Sequence, residues 1–526
     1  MTTLRTELPL ADTRTWLGFV LMCLGMFMAI LDIQVVATSL PTIQNALAIS
    51  PEAMSWIQTS YLIAEIIAIP LTGWLTDVLS MRWLFAAALA LFTLASIGCA
   101  ASGTFAALVS FRVLQGFAGG TLIPAVFAAV FLLFPPRSQG IATTIAGIMA
   151  VLAPTVGPVV GGWITQTWSW HWLFLINVVP GLIACVVAPP LLPRQQPNLG
   201  NVEDIDWRSL VLMALSLAAL EIGLKQSPHD GWLSVTCTGL FATSALCGGL
   251  FVRRTLRAAH PVVQLGPFRN RSFAIGCALS FCLGVGLYGS VYLIPVFLAY
   301  VRGHDALQIG STMLVTGAAQ LALSPIAVAL ERRLDARWLT AAGFAVFGIG
   351  LALSMFQTRD TDFNQMFWPQ IVRGSAIMFC LLPPTRLALG ALPEAQVAAA
   401  SGLFNLMRNL GGAIGIALID TILYSRIQVH AAALQTRLLA GDATAATAIG
   451  LDPALLTSGL SGPPAPAMEA MVRPLIEKTA FVWSVNDAWA MLAAAALVAV
   501  LLVPFAWNRR ADNQPNELVK QSPTSS

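Results

Sequence analysis

Residues 70–84 read PLTGWLTDVLSMRWL, and this segment decides how the rest of the chain is organised. It ends one apolar run and begins the next, and its polar residues form a short turn that cannot lie in lipid. A related segment, PIAVALERRLDARWL, occupies residues 325–339. Six positions keep their residue at a constant offset of 255: Pro70, Leu75, Leu79, Arg82, Trp83 and Leu84. A constant offset indicates an internal duplication, which is typical of membrane proteins built around a central site.

The composition excludes a water-soluble globular protein. Of the 526 residues, 57% are hydrophobic and only 10% are charged, against roughly 25% charged residues in soluble domains. So few charges cannot cover a surface that faces water, so lipid must be the solvent. The basic residues form no block, which argues against a nucleic-acid partner. The first apolar run lacks a small-residue cleavage site, so we expect it to be retained as a span.

Fourteen apolar runs are long enough to span a membrane, because a span needs about 20 residues. The predicted spans are 16–38, 53–75, 82–101, 105–132, 139–163, 171–191, 207–226, 232–252, 272–301, 307–330, 338–357, 364–389, 396–424 and 483–507. If the N-terminus is cytoplasmic, the inner segments carry 18 of the 28 Lys and Arg residues and the outer segments, Lys225 included, carry 7. This bias predicts that both termini lie inside.

The duplication predicts two six-helix bundles with two inserted helices between them. We expect the first bundle at 1–192, the inserted helices and a basic inner linker at 193–270, and the second bundle at 271–508. A long outer loop at 425–482 and a polar tail at 509–526 complete the chain. The fold class is therefore an all-α polytopic membrane protein.

Charged residues inside spans are costly, so each needs a partner or a function. At about 1.5 Å of rise per residue, Asp32 in the first span and Arg112 in the fourth lie at similar depths, roughly 12 and 10 Å from the outer end. The two could therefore meet, and the opposed effects of burial and of a nearby cation would make Asp32 a proton site that conformation can switch. A static buried ion pair is the alternative.

Four further charges inside predicted spans are candidates for a function or a buried partner. Glu65 falls near the midplane and is a candidate for binding protons or a cationic substrate, with structural hydrogen bonding as the alternative. Glu221 is near the outer end of an inserted span, where contact with water is expected. Arg373 begins the outer part of its span in the second half, as Arg112 does in the first half. Arg408 lies between Asn405 and Asn409, and the sequence does not identify a partner for it.

The sequence contains no motif of an ATP motor or of a common hydrolase. There is no phosphate-binding glycine loop ending in Lys-Ser or Lys-Thr, no Gly-x-Ser-x-Gly and no His-Glu-x-x-His. The cysteines lie in apolar runs without metal-ligand spacing. We therefore expect neither an enzyme nor a metal or cofactor site.

Several motifs in order resemble the major facilitator superfamily, and within it the fourteen-spanner drug:proton antiporters of the EmrB/QacA type. The matching segments are LDIQVVATSLP at 31–41, GWLTDVLSMRW at 73–83, RVLQGFAGG at 112–120, a Gly-Pro and Gly-Gly motif at 157–162, and WHWLFLINVVPG at 170–181. The second segment departs from the family pattern at Val78, Ser80 and Met81, where that pattern favours a basic residue, a glycine and a basic residue. The departure implies a weaker or differently wired inner gate.

The resemblance implies export of amphipathic small molecules, driven by inward proton flow. It implies proton coupling by Asp32, Arg112 and Glu65 and gating by Gly73, Asp77, Arg82, Gly157, Pro158, Gly161 and Gly162. Candidates for a substrate cavity are Glu65, Gln115, Arg373, Asn405 and Arg408. The expected setting is the bacterial inner membrane, with lipids as partners and the outer loop leaving room for a periplasmic adaptor protein.

Two alternatives remain open from the sequence. One is proton-coupled transport of a specific metabolite, against which the Gly-Pro motif of the fifth span argues. The other is a membrane receptor or transferase, which would require functional groups clustered in one water-facing loop. The sequence shows no such cluster.

Overall fold

The structure is a computed structural model that describes residues 12–49, 51–193, 206–258, 261–331, 333–390, 392–452 and 466–506. These residues form helices and short connections, without a β-strand among them. The predicted all-α fold class is confirmed. The predicted polar tail at 509–526 lies outside the described residues.

Within residues 12–193 as described, eight helices make up the first six spans. They are α1 (Thr13–Leu47), α2 (Pro51–Ala68), α3 (Thr72–Leu79), α4 (Met81–Ala100), α5 (Phe105–Leu133), α6 (Pro136–Thr167), α7 (Trp172–Leu175) and α8 (Val178–Leu191). The second span is α2 and α3 joined by a 3-10 turn at Ile69–Leu71, and the sixth is α7 and α8. The duplicated turn at residue 80 thus separates the second and third spans, as the sequence predicts.

The part of the chain described after residue 206 contains nine further helices. They are α9 (Trp207–Asp230), α10 (Val235–Thr255), α11 (Arg271–Phe297), α12 (Ala306–Glu331), α13 (Ala336–Leu353), α14 (Phe363–Leu389), α15 (Glu394–Leu439), α16 (Ala443–Ile449) and α17 (Pro466–Leu502). Short 3-10 turns lie at Gly266–Arg269, Ser354–Phe356 and Val503–Ala506, and a π-turn lies at Leu298–Arg302. Within the described residues, thirteen spans are both long and apolar enough to cross a membrane. The other predicted span, α14, has 27 residues but is more polar, with Gln370 and Arg373 in its outer half.

The two sets of six spans pack in the same way. In the first set α1 packs on α6 and α8, and α5 packs on α2 and α4; in the second set α11 packs on α15 and α17, and α14 packs on α12 and α13. These pairs correspond one to one along the chain. Helices in lipid gain little from hydrophobic burial, so small residues that allow close contact determine such packing. The repeated pattern follows from the duplication that the sequence indicates.

Two seams join the halves. Along the first, α6 packs against α12 and α14. Along the second, α15 packs against α3, α5 and the turn at 69–71. We use "inner" and "outer" for the sides that the Lys and Arg bias predicts to be cytoplasmic and external. The second seam is closed at its inner end, where Gly73 approaches Ala399 so closely that an added Cβ would lie 2.6 Å from the Ala399 Cα.

The two inserted helices have different positions. Helix α9 packs against both α2 and α15, and it therefore bridges the halves. Helix α10 packs mainly on α9, and Cys237, Ser244 and Thr255 are its buried residues. The more peripheral α10 is thus available to lipid, whereas α9 belongs to the seam.

The prediction that residues 425–482 form a loop is wrong. Helix α15 continues to Leu439, α16 follows, and α17 begins at Pro466, so most of this segment is helical. Residues from α15, α16 and α17 form a separate apolar core: Leu434, Leu438, Ala445, Ala446, Ile449, Leu451 and Ala480. The segment is rich in Ala, which has the highest helix propensity, and this favours helix over loop. Residues 453–465 lie outside the description.

Candidate functional site

Asp32 and Arg112 form a buried ion pair in the first half. Both side chains are 0% exposed, and the Arg112 Nη1 contacts the Asp32 Oδ2. Asp32 comes from α1 and Arg112 from α5, so the comparison of depths correctly predicted the contact. Two charges out of water are stable together only when the remaining donors and acceptors are also satisfied.

Two amide side chains donate the further hydrogen bonds that the Asp32 carboxylate needs. Gln115 Nε2 donates to Asp32 Oδ1 at 2.9 Å, and Asn177 Nδ2 donates to the same oxygen at 2.8 Å. Gln115 also accepts from Arg112 Nη1 at 2.7 Å and donates to the Ser96 Oγ at 2.8 Å. We expected Gln115 to line a substrate cavity, but it is 0% exposed inside this network. Its side-chain amide is hydrogen-bonded to Asp32, Arg112 and Ser96, and these contacts keep it inside the helix bundle.

Asn177 is a residue that the sequence analysis missed. It lies between α7 and α8, and the break between these helices turns its side chain inward. It is 1% exposed. A polar side chain within the apolar run at 170–181 was the available signal, and a buried amide in lipid needs a hydrogen-bond partner.

Arg112 connects the pair to α2. Its Nε donates to the Ile57 carbonyl oxygen at 3.1 Å, and its guanidinium lies 4.3 Å from the centre of the Tyr61 ring. The Tyr61 hydroxyl donates to the Ala29 carbonyl oxygen at 3.1 Å. A proton that neutralised Asp32 would therefore release Arg112 and loosen contacts among α1, α2, α4, α5 and α8.

Glu65 is buried on α2 at 4% exposure. The charges of Glu221 on α9 and of Arg112 on α5 both act on it. Tyr288 on α11, in the other half, lies within reach of its charge as well. The structure thus places Glu65 where the first half, the inserted helix and the second half meet. Glu221 is partly exposed, and its Oε2 is buried with no hydrogen-bond partner among the described residues.

Lys225 is a second residue that the sequence analysis misplaced. We counted it among the outer positive charges, but it lies in the span of α9. Its Nζ donates to the Thr59 Oγ1 and lies 5.1 Å from the Trp56 ring centre. Further along, Trp232 Nε1 donates to the Thr421 Oγ1 of α15 at 2.9 Å. The inserted helix region is therefore hydrogen-bonded to both halves.

Arg408 is buried at the seam at 6% exposure, and no described residue accepts a hydrogen bond from its Nε or Nη2. Its guanidinium lies 5.6 Å from the ring centre of Phe127 on α5 and 5.4 Å from that of Phe404. Asn405 donates from Nδ2 to the Ser401 carbonyl oxygen at 2.9 Å and so stays on its own helix. The partner that the sequence could not name is thus an aromatic pair in place of a carboxylate.

The outer part of α15 carries an acid that the sequence analysis overlooked. Asp420 accepts a hydrogen bond from the Tyr292 hydroxyl at 2.6 Å, and Tyr288 donates to Asn409 Oδ1 at 3.1 Å. Both tyrosines lie on α11. The sequence signal was an aspartate inside a predicted span, at position 420 of the run 396–424.

The predicted gating residues have separate surroundings. Asp77 is exposed and forms no ion pair with any described residue, while Arg82 lies 5.1 Å from the ring centre of its neighbour Trp83. Ser80 has a φ of 69°, a left-handed value that favours glycine. The sequence departs from the family pattern at that position, so the backbone keeps the glycine conformation without the glycine.

The Gly-Pro motif faces both neighbours of α6. Gly157 touches the Gln34 Cβ of α1, which leaves no room for a larger side chain. Two residues away, Thr155 and Val159 meet Gly317 and Gly310 of α12 across the seam. Pro154 and Pro158 lie inside α6. Gly161, further along the motif, accepts a hydrogen bond from the Thr165 hydroxyl through its carbonyl oxygen at 2.8 Å.

The described residues contain no group of His, Cys, Asp or Glu side chains that could hold a metal ion. The site is instead a set of buried charges at the junction of helices. Such groups can bind a proton, a charged substrate or each other, and their pairing changes when helices move.

Comparisons with known proteins give one consistent result. The family model described as Major Facilitator Superfamily matches residues 22–416. The chain is 40% identical over 409 residues to the Colistin resistance protein EmrB of Acinetobacter baumannii, covering 78% of this chain and 80% of that protein. It is 30% identical over 436 residues to the Multidrug export protein EmrB of Escherichia coli K12, covering 82% and 84%.

A solved structure has a similar fold. The crystal structure of the human organic anion transporter MFSD10 (TETRAN) aligns with a TM-score of 0.58 and 12% identity, over 94% of this chain and 100% of that chain. At this identity the likeness concerns the fold alone.

Proposed function

Because the chain belongs to the major facilitator superfamily, we propose that it exports amphipathic small molecules from the cell in exchange for protons. Its similarity to multidrug export proteins supports the export of such compounds. The observation that carries the proton coupling is the buried Asp32–Arg112 pair with its two amide donors. No ATP-binding motif is present in the sequence.

The proposed mechanism is alternating access. Asp32 holds the proton, Arg112 stabilises the charged form, and Glu65 is a second acid that faces the other half. Protonation of Asp32 weakens the contacts that hold α1, α5 and α8 together, and its release restores them. Motion is expected at the two seams, where Gly73 and Gly317 allow close contact between the halves.

We place the protein in the bacterial inner membrane with both termini in the cytoplasm, in agreement with the distribution of Lys and Arg. The inner end of the α9–α10 pair has a cavity of about 480 Å³ lined by Arg253, Arg254 and Arg257. Asp206 accepts from Arg254 Nε at 2.6 Å, and this hydrogen bond lowers the pKa of Asp206 to about 2. Excess positive charge remains, which suits anionic lipid headgroups. The packed outer helices of 427–451 and 472–483 offer a surface for an adaptor protein.

The decisive experiment uses the purified protein in lipid vesicles. An imposed pH gradient should drive accumulation of a lipophilic dye in the direction opposite to proton flow, and Asp32→Asn should abolish this accumulation. The variant keeps the side-chain shape but cannot release a proton. It should still fold, as a monodisperse elution profile would show.

Asp442→Asn is the matched control. Asp442 accepts hydrogen bonds from the backbone at the start of α16, and Asn serves equally well at such a position. We expect its dye accumulation to equal that of the unsubstituted protein. Full transport by Asp32→Asn would show that another acid carries the proton, and transport without any dependence on the gradient would remove antiport.

A further inference from the structure

The two halves contain related pentapeptides in which Arg and Gln exchange places. The first half has RVLQG at 112–116 on α5, and the second has QIVRG at 370–374 on α14. Gly116 packs against the backbone carbonyl oxygen of Tyr61, and Gly374 packs against that of Thr316. Residues 61 and 316 are related by the offset of 255. The glycines are therefore equivalent, and Arg373 occupies the place of Gln115.

The residue that faces Gln115 in the first half also differs from the residue that faces Arg373 in the second half. Gln115 donates to Asp32. The residue at the same offset from Asp32 is Leu287, and Leu287 and Arg373 line one cavity. The second half thus keeps a cation but has an aliphatic side chain where the first half has a carboxylate.

Hydrogen-bond donors around Arg373 exceed acceptors. Arg373 is 3% exposed, and its Nη2 donates to the Thr316 Oγ1 at 3.0 Å. Among the described residues, its Nε and Nη1 have no hydrogen-bond partner, and neither do the Nε2 of Gln370 and the Nε1 of Trp489. The Trp489 ring centre lies 5.6 Å from the guanidinium. A buried donor without an acceptor is costly, so this cluster is complementary to a negative group.

The cavity lies at the seam between the halves. It has a volume of about 20 Å³, and Pro154 and Thr155 of α6 line it together with residues of α11, α12 and α14. No acid is among its lining residues, which are mostly aliphatic. The space suits one polar group and excludes a whole ligand, so a longer ligand can enter only when α6 moves away from α12.

We propose that Arg373 binds the carboxylate of an amphipathic organic anion. The guanidinium has unpaired N–H donors at Nε and Nη1, either of which can donate to a carboxylate oxygen, and the aliphatic lining of the seam contacts the ligand's tail. The inference rests on the proposed efflux function and assigns it a class of substrate. A small inorganic anion has the same charge but would leave the aliphatic lining without a role.

The test measures binding to the purified protein in detergent without a pH gradient. The probes are decanoate and decan-1-ol, and their binding at pH 8 is measured by isothermal titration calorimetry. The unsubstituted protein should bind decanoate about tenfold or more tightly than the alcohol, because charge-assisted hydrogen bonds act on the carboxylate alone. Arg373→Gln should remove this preference, and Arg373→Lys should keep part of it.

Leu287→Asp is the sharpest variant, because it restores the acid that the first half has. The new carboxylate should pair with Arg373 and exclude decanoate, while Leu287→Asn, of the same shape and neutral, should keep the preference. If Arg373→Gln fails to fold, the Leu287 pair still decides the question, with thermal unfolding as the check of folding.

Equal binding of decanoate and decan-1-ol by the unsubstituted protein would overturn the proposal. So would a decanoate preference that survives in Leu287→Asp. Another outcome is that sodium chloride stabilises the unsubstituted protein more than sodium gluconate does, with this difference lost in Arg373→Gln, while decanoate binds no more tightly than decan-1-ol. That result would show that the site binds an inorganic anion, and it would contradict the proposed organic substrate. A retained decanoate preference without gradient-driven dye transport would overturn the efflux function and leave the anion site standing.

Discussion

At the scale of single residues, Asp32 shows how one carboxylate can control several helices. It lies on α1, and its partners Arg112, Gln115 and Asn177 come from α5 and the start of α8. A buried charge pair that loses one partner costs about 3–5 kcal/mol. Adding a proton to Asp32 changes the same interactions without a mutation. The energy is therefore of the size needed to shift a conformational equilibrium.

Ser80 provides a prediction about stability. Its φ of 69° and ψ of 155° lie in a region that glycine alone adopts readily, and its buried Oγ has no hydrogen-bond partner. Ser80→Gly should stabilise the protein by about 1 kcal/mol, because backbone strain of this kind costs about 1–3 kcal/mol. Thermal unfolding in detergent would measure the increase.

Ser80→Ala separates the two causes. Alanine removes the unpaired hydroxyl but keeps a Cβ in the strained conformation. It should therefore gain less than Ser80→Gly. Equal stabilisation by the two variants would assign the cost to the hydroxyl, and no gain from glycine would show that the backbone is not strained at this turn.

The residues that the sequence analysis missed share one property. Asn177, Lys225 and Asp420 interact with residues at least 128 positions away in the sequence. Charge and polarity in an apolar run are visible in the sequence, and they indicate that a partner exists. Which helix supplies the partner depends on the packing.

At the scale of helices, glycines determine how closely the spans approach. Gly116 of α5 touches the Tyr61 carbonyl oxygen, Gly157 of α6 touches Gln34, and Gly411 of α15 touches the Phe281 carbonyl oxygen. Such contacts hold helices together in lipid, where hydrophobic burial does not. The Gly-rich segments of spans 5 and 13 are thus packing surfaces within each half, and those of α12 serve the seam.

Gly116→Ala should be strongly destabilising. The added Cβ would overlap a backbone oxygen of α2, which cannot rotate away, so α5 and α2 must separate. The cost should be about 1–3 kcal/mol, as for other overpacked sites. The separation would also displace Arg112 from Asp32. We expect a lower unfolding temperature together with reduced transport.

Gly249→Ala on α10 is the control for this substitution. An added Cβ there meets nothing within 4 Å. Alanine is the better helix former by about 1 kcal/mol, so the variant should be neutral or slightly more stable. A similar loss of stability in both variants would mean that the α2–α5 contact does not limit the fold.

The outer extensions of α15 and α17 form a small domain of their own outside the predicted spans. Leu434 is 0% exposed within its apolar core. The side chain of Arg359, from the connection before α14, contacts the carbonyl oxygen of Ile449 and so attaches this domain to the second half. An adaptor protein would thus meet a folded surface.

At the scale of the whole molecule, small residues lie in close contact at both seams between the halves. An ideal Cβ at Gly317 would lie 3.2 Å from the Thr155 Cβ across the α6–α12 seam. Disulfides have Cβ–Cβ distances of about 3.5–4.5 Å. A pair of cysteines at these positions can therefore form a bond after a small adjustment.

Thr155→Cys combined with Gly317→Cys should stop dye transport under oxidising conditions. The bond would hold α6 to α12 and prevent the halves from separating. A reducing agent should restore transport, as measured in vesicles with the eight native cysteines replaced.

Each single cysteine variant is a control, because it cannot form the bond. Both should transport under oxidising and reducing conditions alike. Full transport by the oxidised pair, with the disulfide verified by mass spectrometry, would show that this seam does not open during the cycle.

The sequence by itself determined the fold class, the duplication and the pair of Asp32 and Arg112. Apolar length, a constant offset and depth along a helix are local quantities, and lipid makes them decisive because it cannot solvate backbone or charge. Tertiary structure alone decided that Gln115 lies in the buried hydrogen-bond network of Asp32 and Arg112, that α9 bridges the halves, and that Arg373 and Leu287 line one cavity with no carboxylate among its described lining residues. These facts depend on which helix faces lie against each other, and contacts between small residues distant in the sequence determine that arrangement.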